Sequence, residues 1–206
     1  MQEKETGTNK VSLMGKISQE FQFSYKKKGL SYYTAEIDIE RNSGYTDHIP
    51  IMVCKNIHAL PEIGSFVYIE GQFRSYNQSV DNRRKLLLNV LAMEIENRNN
   101  GEADAGKNEI FLNGYICKEP IFRKTPMGRY ISDVCVAVNS PYKHSDYLPC
   151  IFWGQNAKTA SNLPVGCHIQ IWGRIQSRIY FKQTEQGIKE QTAYEVSVSR
   201  MKFAPV

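Results

Sequence analysis

The chain carries one pattern twice, and a duplication restricts the possible folds more than any bulk property does. Asn9-Lys-Val-Ser-Leu-Met-Gly15 aligns with Asn108-Glu-Ile-Phe-Leu-Asn-Gly114 at an offset of 99. The same offset carries Gly29 onto Gly128 and Asp47-His-Ile-Pro50 onto Asp146-Tyr-Leu-Pro149. A three-residue insertion then moves the offset to 102, at which Gly64 falls on Gly166, Gly71 on Gly173 and Ser75 on Ser177. Residues 97–107 between the copies are polar, contain glycine and lack periodicity, which is linker composition. The pattern predicts a domain over 8–96, a linker over 97–107 and a second domain over 108–204. At 206 residues the chain is long enough for two small cores.

Each copy reads as strands. Apolar residues alternate at Val11, Leu13 and Ile17, at Ala35, Ile37 and Ile39, at Ile49, Ile51 and Val53, and at Val67 and Ile69. The second copy does the same at Ile110, Leu112 and Ile116, at Val134, Val136 and Val138, at Leu148, Cys150 and Phe152, and at Ile169 and Ile171. A fifth strand follows over Leu86–Ile95 and Thr192–Met201. The helix-sized gap in each copy lies between strands three and four, at Lys55–Ile63 and Gly154–Val165. The expected fold class is all-β: two tandem OB-fold, five-stranded Greek-key barrels, each with one short helix between strands three and four. In that fold ligands lie on strands two and three and on the loops after strands one and four.

Alternation also sorts each strand into a core face and an outward face. With Leu148, Cys150 and Phe152 inward, Tyr147, Pro149, Ile151 and Trp153 point outward. Aromatics on the solvent side of a small barrel suit either an oligomer interface or a platform on which bases stack. The loops favour the platform. After the first strand come Tyr25-Lys26-Lys27-Lys28 in one copy and Phe122-Arg123-Lys124 in the other. After the fourth come Arg74-Ser-Tyr76 with Arg83-Arg84-Lys85, and Arg174-Ile-Gln-Ser-Arg178-Ile-Tyr180-Phe181-Lys182. Cations interleaved with rings suit a charged backbone carrying flat bases.

Other chemistry finds little support. No apolar run approaches the ~18–20 residues of a membrane span, and the N-terminus lacks a signal-peptide core; a cytoplasmic chain is expected. Five scattered cysteines without a C-x-x-C pair point to reduced thiols, not disulfides or zinc. The four histidines show no ligand spacing. Gly101 to Lys107 has G-x-x-x-x-G-K spacing, but Asn108 follows where Ser or Thr should, and a strand follows where a helix should. No cofactor, metal or catalytic set is expected, and so no enzyme. The formal net charge of +5 resides in the second copy: residues 1–107 carry 14 basic and 14 acidic side chains, residues 108–206 carry 12 and 7. That balance is compatible with a polyanionic partner.

On these residues the second copy resembles the bacterial single-stranded-DNA-binding protein family over about residues 108–203. The resemblance rests on Asn-x-Ile-x-Leu-x-Gly, Lys118-Glu-Pro120 with Arg123, Gly128 leading to Val136-Ala-Val138-Asn139, Asp146 to Gly154, and Gly173 to Tyr180. It implies base stacking on Tyr142, Tyr147, Trp153 and Tyr180, with basic contacts from Arg123 and Arg178. Lys124 and Arg174 join them from the loop reading. It further implies single-stranded DNA as the partner, bound with little sequence preference in replication, recombination or repair, and a homodimer with four barrels in total. The family's usual acidic tip is missing after Met201-Lys-Phe-Ala-Pro-Val206, so recruitment of proteins by a tail is not expected. The first copy departs from the family pattern. His48 and Cys54 replace Tyr147 and Trp153, and Glu36, Asp38 and Glu40 face outward. It is read either as a binder through Tyr25, Lys26, Lys27, Lys28, Tyr45, Arg74 and Tyr76, or as an assembly partner. Two alternatives for the whole chain are an assembly protein of a replication or DNA-transfer complex, and a binder of single-stranded RNA.

Overall fold

A computed structural model describes residues 7–54, 60–80, 83–99, 106–140, 144–184 and 187–204. The first copy forms β1 (Asn9–Ile17), β2 (Gln22–Lys27), β3 (Leu30–Glu40), β4 (Thr46–Cys54), β5 (Phe66–Val80) and β6 (Arg83–Asn97). The second forms β7 (Asn108–Ile116), β8 (Ile121–Lys124), β9 (Tyr130–Asn139), β10 (Ser145–Trp153), α1 (Gly154–Ala160), β11 (His168–Thr184) and β12 (Gly187–Phe203). Residues 55–59, within the helix expected in the first copy, lie outside the described residues. The all-β reading holds, and among the described residues no helix is long and apolar enough to cross a membrane.

The strands join in one twelve-stranded sheet, ordered β2-β3-β4-β6-β5-β1-β7-β11-β12-β10-β9-β8. Each half curls on itself: β1 pairs also with β3, and β7 with β9. The alternating residues fill the two interiors. Leu13, Ile37, Ile51, Ile69 and Phe73 are fully buried in one half, and Leu112, Val136, Leu148, Phe152 and Ile171 in the other. Each such side chain contributes about 1.5–3 kcal/mol. Where β1 crosses β3, a Cβ on Gly15 would overlap the carbonyl oxygen of Asp38; Gly114 meets Ala137 in the same way. Closure of each half therefore requires glycine there, which explains two landmarks of the repeat. Asn9 and Asn108 explain another. Asn9 exchanges hydrogen bonds with the Phe73 backbone (2.7 and 2.9 Å), and Asn108 with Ile175 at the same two distances. Each asparagine fixes the register of the long hairpin against the first strand.

The halves meet where β1 pairs antiparallel with β7, and Val11 lies opposite Ile110, its own counterpart in the repeat. A pseudo-two-fold axis therefore passes through that pair. Two differences from the sequence reading follow from exposure. The stretches read as loops after the first strand are strands, β2 and β8, hydrogen-bonded to β3 and β9. Both are exposed along their whole length, so no apolar alternation marks them. The stretches read as loops after the fourth strand lie within the long hairpins β5–β6 and β11–β12.

Candidate nucleic-acid interface

The outward face of the second copy is built by β9 and β10, continued through β12 to β11. Tyr147 is 46% exposed near the start of β10. Trp153 ends that strand half-buried, its indole N–H donating to Ser197 Oγ at 3.1 Å. Ile151 points outward as expected from parity but is only 5% exposed, so the face between the two rings is packed, not wet. Tyr180 stands on β11; its hydroxyl donates to Gln191 Oε1 at 2.8 Å, and the Arg178 guanidinium lies 5.8 Å from its ring centre. Arg178 is half exposed and only 3.6 Å from Glu195, a spacing that leaves it able to exchange partners. Tyr142 lies outside the described residues.

The β8–β9 hairpin adds a ring pair that the residue pattern does not reveal. Phe122 and Tyr130 stack at 5.4 Å with planes 7° apart, and Lys124 and Lys158 each place their ammonium 5.5 Å from the Tyr130 ring. The two rings come from neighbouring strands, so nothing in the local sequence pairs them. Arg123, on the same hairpin, is engaged with Asp133 at 2.5 and 3.1 Å; that hydrogen bond chiefly raises its pKa. Its Nη1 edge stays clear of this pair, on a side chain that is 45% exposed.

The first copy gathers its aromatics elsewhere. Tyr25 stacks on Tyr32 at 4.6 Å, and the hydroxyls of Tyr25 and Tyr76 both approach Met52 Sδ, at 3.6 and 3.8 Å. Burial pushes the Tyr76 hydroxyl up to about 12, so it acts as a donor, here to Asn89. Lys26 and Lys27 run out along β2 to a turn in which Lys28 and Gly29 take positive φ, 49° and 81°. Tyr25 and Tyr32 thus share one hairpin with the lysines, and Tyr76 reaches the cluster from β5. Tyr45 is not among them; it lies on the β3–β4 turn, with Arg41 4.9 Å from its ring centre. The middle of the face is acidic, as expected: Glu36 and Asp38 flank His48, whose Nδ1 is 2.8 Å from Asp38. Burial raises the Glu36 pKa.

The halves also grip one another at two related seams beside these faces. In one, Ser177 N–H donates to Asp47 Oδ1 and His48 N–H to Ser177 Oγ, both at 3.0 Å. In the other, Ser75 N–H donates to Asp146 Oδ1 and Tyr147 N–H to Ser75 Oγ, both at 2.8 Å. Tyr147 is thereby placed beside the Tyr76 strand, so the two aromatic surfaces adjoin. The arginines differ. Asp47 is held by Arg41 of its own copy. Asp146 is held by Arg74 of the other copy, Nε 2.9 Å from Oδ2 but with its N–H aimed away, while Nη2 donates to Ser140. Arg74 is therefore engaged at the seam by Asp146 and Ser140.

The comparisons with known proteins agree with this geometry. A sequence profile of the Single-strand binding protein family matches residues 107–204. The chain is 33% identical over 91 residues to the single-stranded DNA-binding protein B of Bacillus subtilis, covering 39% of this chain and 76% of that protein. It is 32% identical over 80 residues to single-stranded DNA-binding protein 3 of Listeria innocua, covering 35% of this chain and about half (50%) of that protein's length. Over nearly the whole chain its fold is similar to the wild-type single-stranded DNA binding protein of Thermus aquaticus, with a TM-score of 0.74, 20% identity and coverage of 97% and 94%. A barrel pair of this topology, with such a match over the second copy, places the chain in the single-strand binding protein family.

Proposed function

We propose that the chain binds single-stranded DNA, with little sequence preference, in replication, recombination or repair. One observation carries the reading: on a barrel whose interior is already filled, Tyr147, Trp153 and Tyr180 remain on the outward face with Arg178 beside them. Bases supply the missing cover for those rings, at about 1–3 kcal/mol each, and the basic side chains track the phosphates. Arg123, Lys124 and Arg174 extend this surface, and Tyr142 is assigned to it by the family resemblance alone. On the first copy Tyr25, Tyr76 and Lys26 to Lys28 form a weaker platform, limited by the acidic strip. The role is binding, not catalysis, and the compartment is the cytoplasm, where the five thiols stay reduced. Two chains associate into a four-barrel homodimer through the outer face of the shared sheet, where Trp172 packs on Phe111 and Tyr115 stacks on His168.

The test is a titration with oligo(dT) at several salt concentrations, followed by tryptophan fluorescence. Trp153 is expected to be quenched and Trp172, on the opposite surface, to be unaffected, so Trp153→Phe removes the signal change. Log K is expected to fall with log salt at about −0.7 per neutralised phosphate. The absence of both a mobility shift and a fluorescence change would refute the reading.

A further inference from the structure

The seam at Asp47 opens into a cleft of about 420 Å³, lined by Arg41 and Tyr45 from the first copy and by Arg129, Trp153, Arg174 and Arg178 from the second. Four guanidiniums share this space, but their counter-charges are unequal. Asp47 occupies Arg41, and Glu195 lies 3.6 Å from Arg178. Among the described residues neither Arg129 nor Arg174 has a carboxylate within ion-pair distance. The Arg174 side chain has, among the described residues, one polar contact, a long 3.4 Å bond to Gln176 Oε1. Burial, and then repulsion from Arg41, lower its pKa, while Asp47 acts in the other direction. A guanidinium partly removed from water without a counter-ion is unfavourable, and an anion entering beside it relieves that state.

The other seam lacks this charge. At the offsets of the repeat, Gln72 stands for Arg174, Tyr76 for Arg178, Cys54 for Trp153 and Ser140 for Arg41. Among the described residues the arginine at that seam, Arg74, is used by Asp146. The cluster of guanidiniums thus stands, among the described residues, at the seam that touches Trp153.

We propose that this cleft holds a phosphodiester and its adjoining base as the strand passes off the second copy, so that the first copy completes the binding site of the second. Arg174 and Arg129 take the phosphate oxygens, and Tyr45 faces the base from the side opposite Trp153. The inference rests on the single-stranded DNA reading.

It is tested on the full chain with oligo(dT). Arg174→Gln installs the residue that the first copy already carries, so folding is kept and the melting temperature is unchanged or higher. Its salt slope is expected to be shallower by about 0.7, the share of one phosphate on a single strand. Tyr45→Ala removes an exposed ring and is expected to weaken binding about five-fold or more. An oligonucleotide carrying 5-iodouracil is expected to photo-crosslink to Tyr45. Wild-type affinity and slope in both variants, with Tyr147→Ala still impaired, would overturn the joint cleft and leave the DNA reading standing. Crosslinks confined to second-copy peptides would do the same. Failure of the unaltered chain to bind at all would remove both.

Discussion

Arg74→Gln is the substitution whose effect the structure fixes most tightly. Arg74 and Asp146 bury their side chains to 17% and 5% exposure, and among the described residues the carboxylate otherwise accepts one N–H, from Ser75, at 2.8 Å. Removing the guanidinium leaves a buried, unpaired carboxylate, which costs about 3–5 kcal/mol. For a chain of this length 1 kcal/mol moves the melting temperature by about 2–4 °C, so a loss of roughly 6–12 °C is expected from the lower figure. The other seam supplies the rescue. There the residue equivalent to Arg74 is Gln176, and Asp47 is held by Arg41, the equivalent of Ser140. Ser140 Oγ already lies 2.9 Å from Arg74 Nη2, so Ser140→Arg can deliver a guanidinium to the same carboxylate. Ser140→Arg added to Arg74→Gln is expected to restore most of the lost stability. The assay is thermal unfolding by circular dichroism at fixed protein concentration, since association shifts apparent stability. A loss below about 2 °C for Arg74→Gln, or no recovery in the double variant, would refute the seam argument.

Gly114→Ala pushes a methyl group onto the Ala137 carbonyl and between Val136 and Val138. The overpacking is expected to cost about 1–3 kcal/mol, read as a lower urea midpoint with an unchanged slope. Glu36→Gln with Asp38→Asn removes two negative charges from the first copy's outward face. At ~8 Å across water each repels a phosphate by about 0.5 kcal/mol, so affinity for oligo(dT) is expected to rise several-fold at low salt and hardly at all at high salt.

Much of this was legible from residues alone, because the signals are local. Period-two alternation placed Leu148, Cys150 and Phe152 inward and Tyr147 and Trp153 outward, and the structure agrees. Strands β2 and β8 escaped, since a strand exposed on both faces has no apolar side to alternate. The Tyr25–Tyr32 and Phe122–Tyr130 stacks escaped because their partners sit across a hairpin. The seams escaped for a stronger reason: their bonds join residues 71 and 130 positions apart. Asp47, Asp146, Ser75 and Ser177 stood out only as landmarks of the repeat.

A position shared by both copies of a duplication has two possible causes, and the fold separates them. Gly15 and Gly114 are needed by the half that contains them, to close β1 on β3 and β7 on β9. Asp47 and Ser177, like Asp146 and Ser75, are needed by the opposite half. Positions that differ between the copies then gain meaning. Arg41 against Ser140 and Arg74 against Gln176 are complementary changes, which leave each buried aspartate with one arginine. Docking two first copies would set Arg41 and Arg74 around the same carboxylate, and docking two second copies would offer it Ser140 and Gln176 instead. Excess charge in the first case and a poorly paired carboxylate in the second both disfavour self-pairing. The halves are therefore matched to each other across this seam, and the first copy's divergence from the second at His48 and Cys54 accompanies a specialised partnership between them.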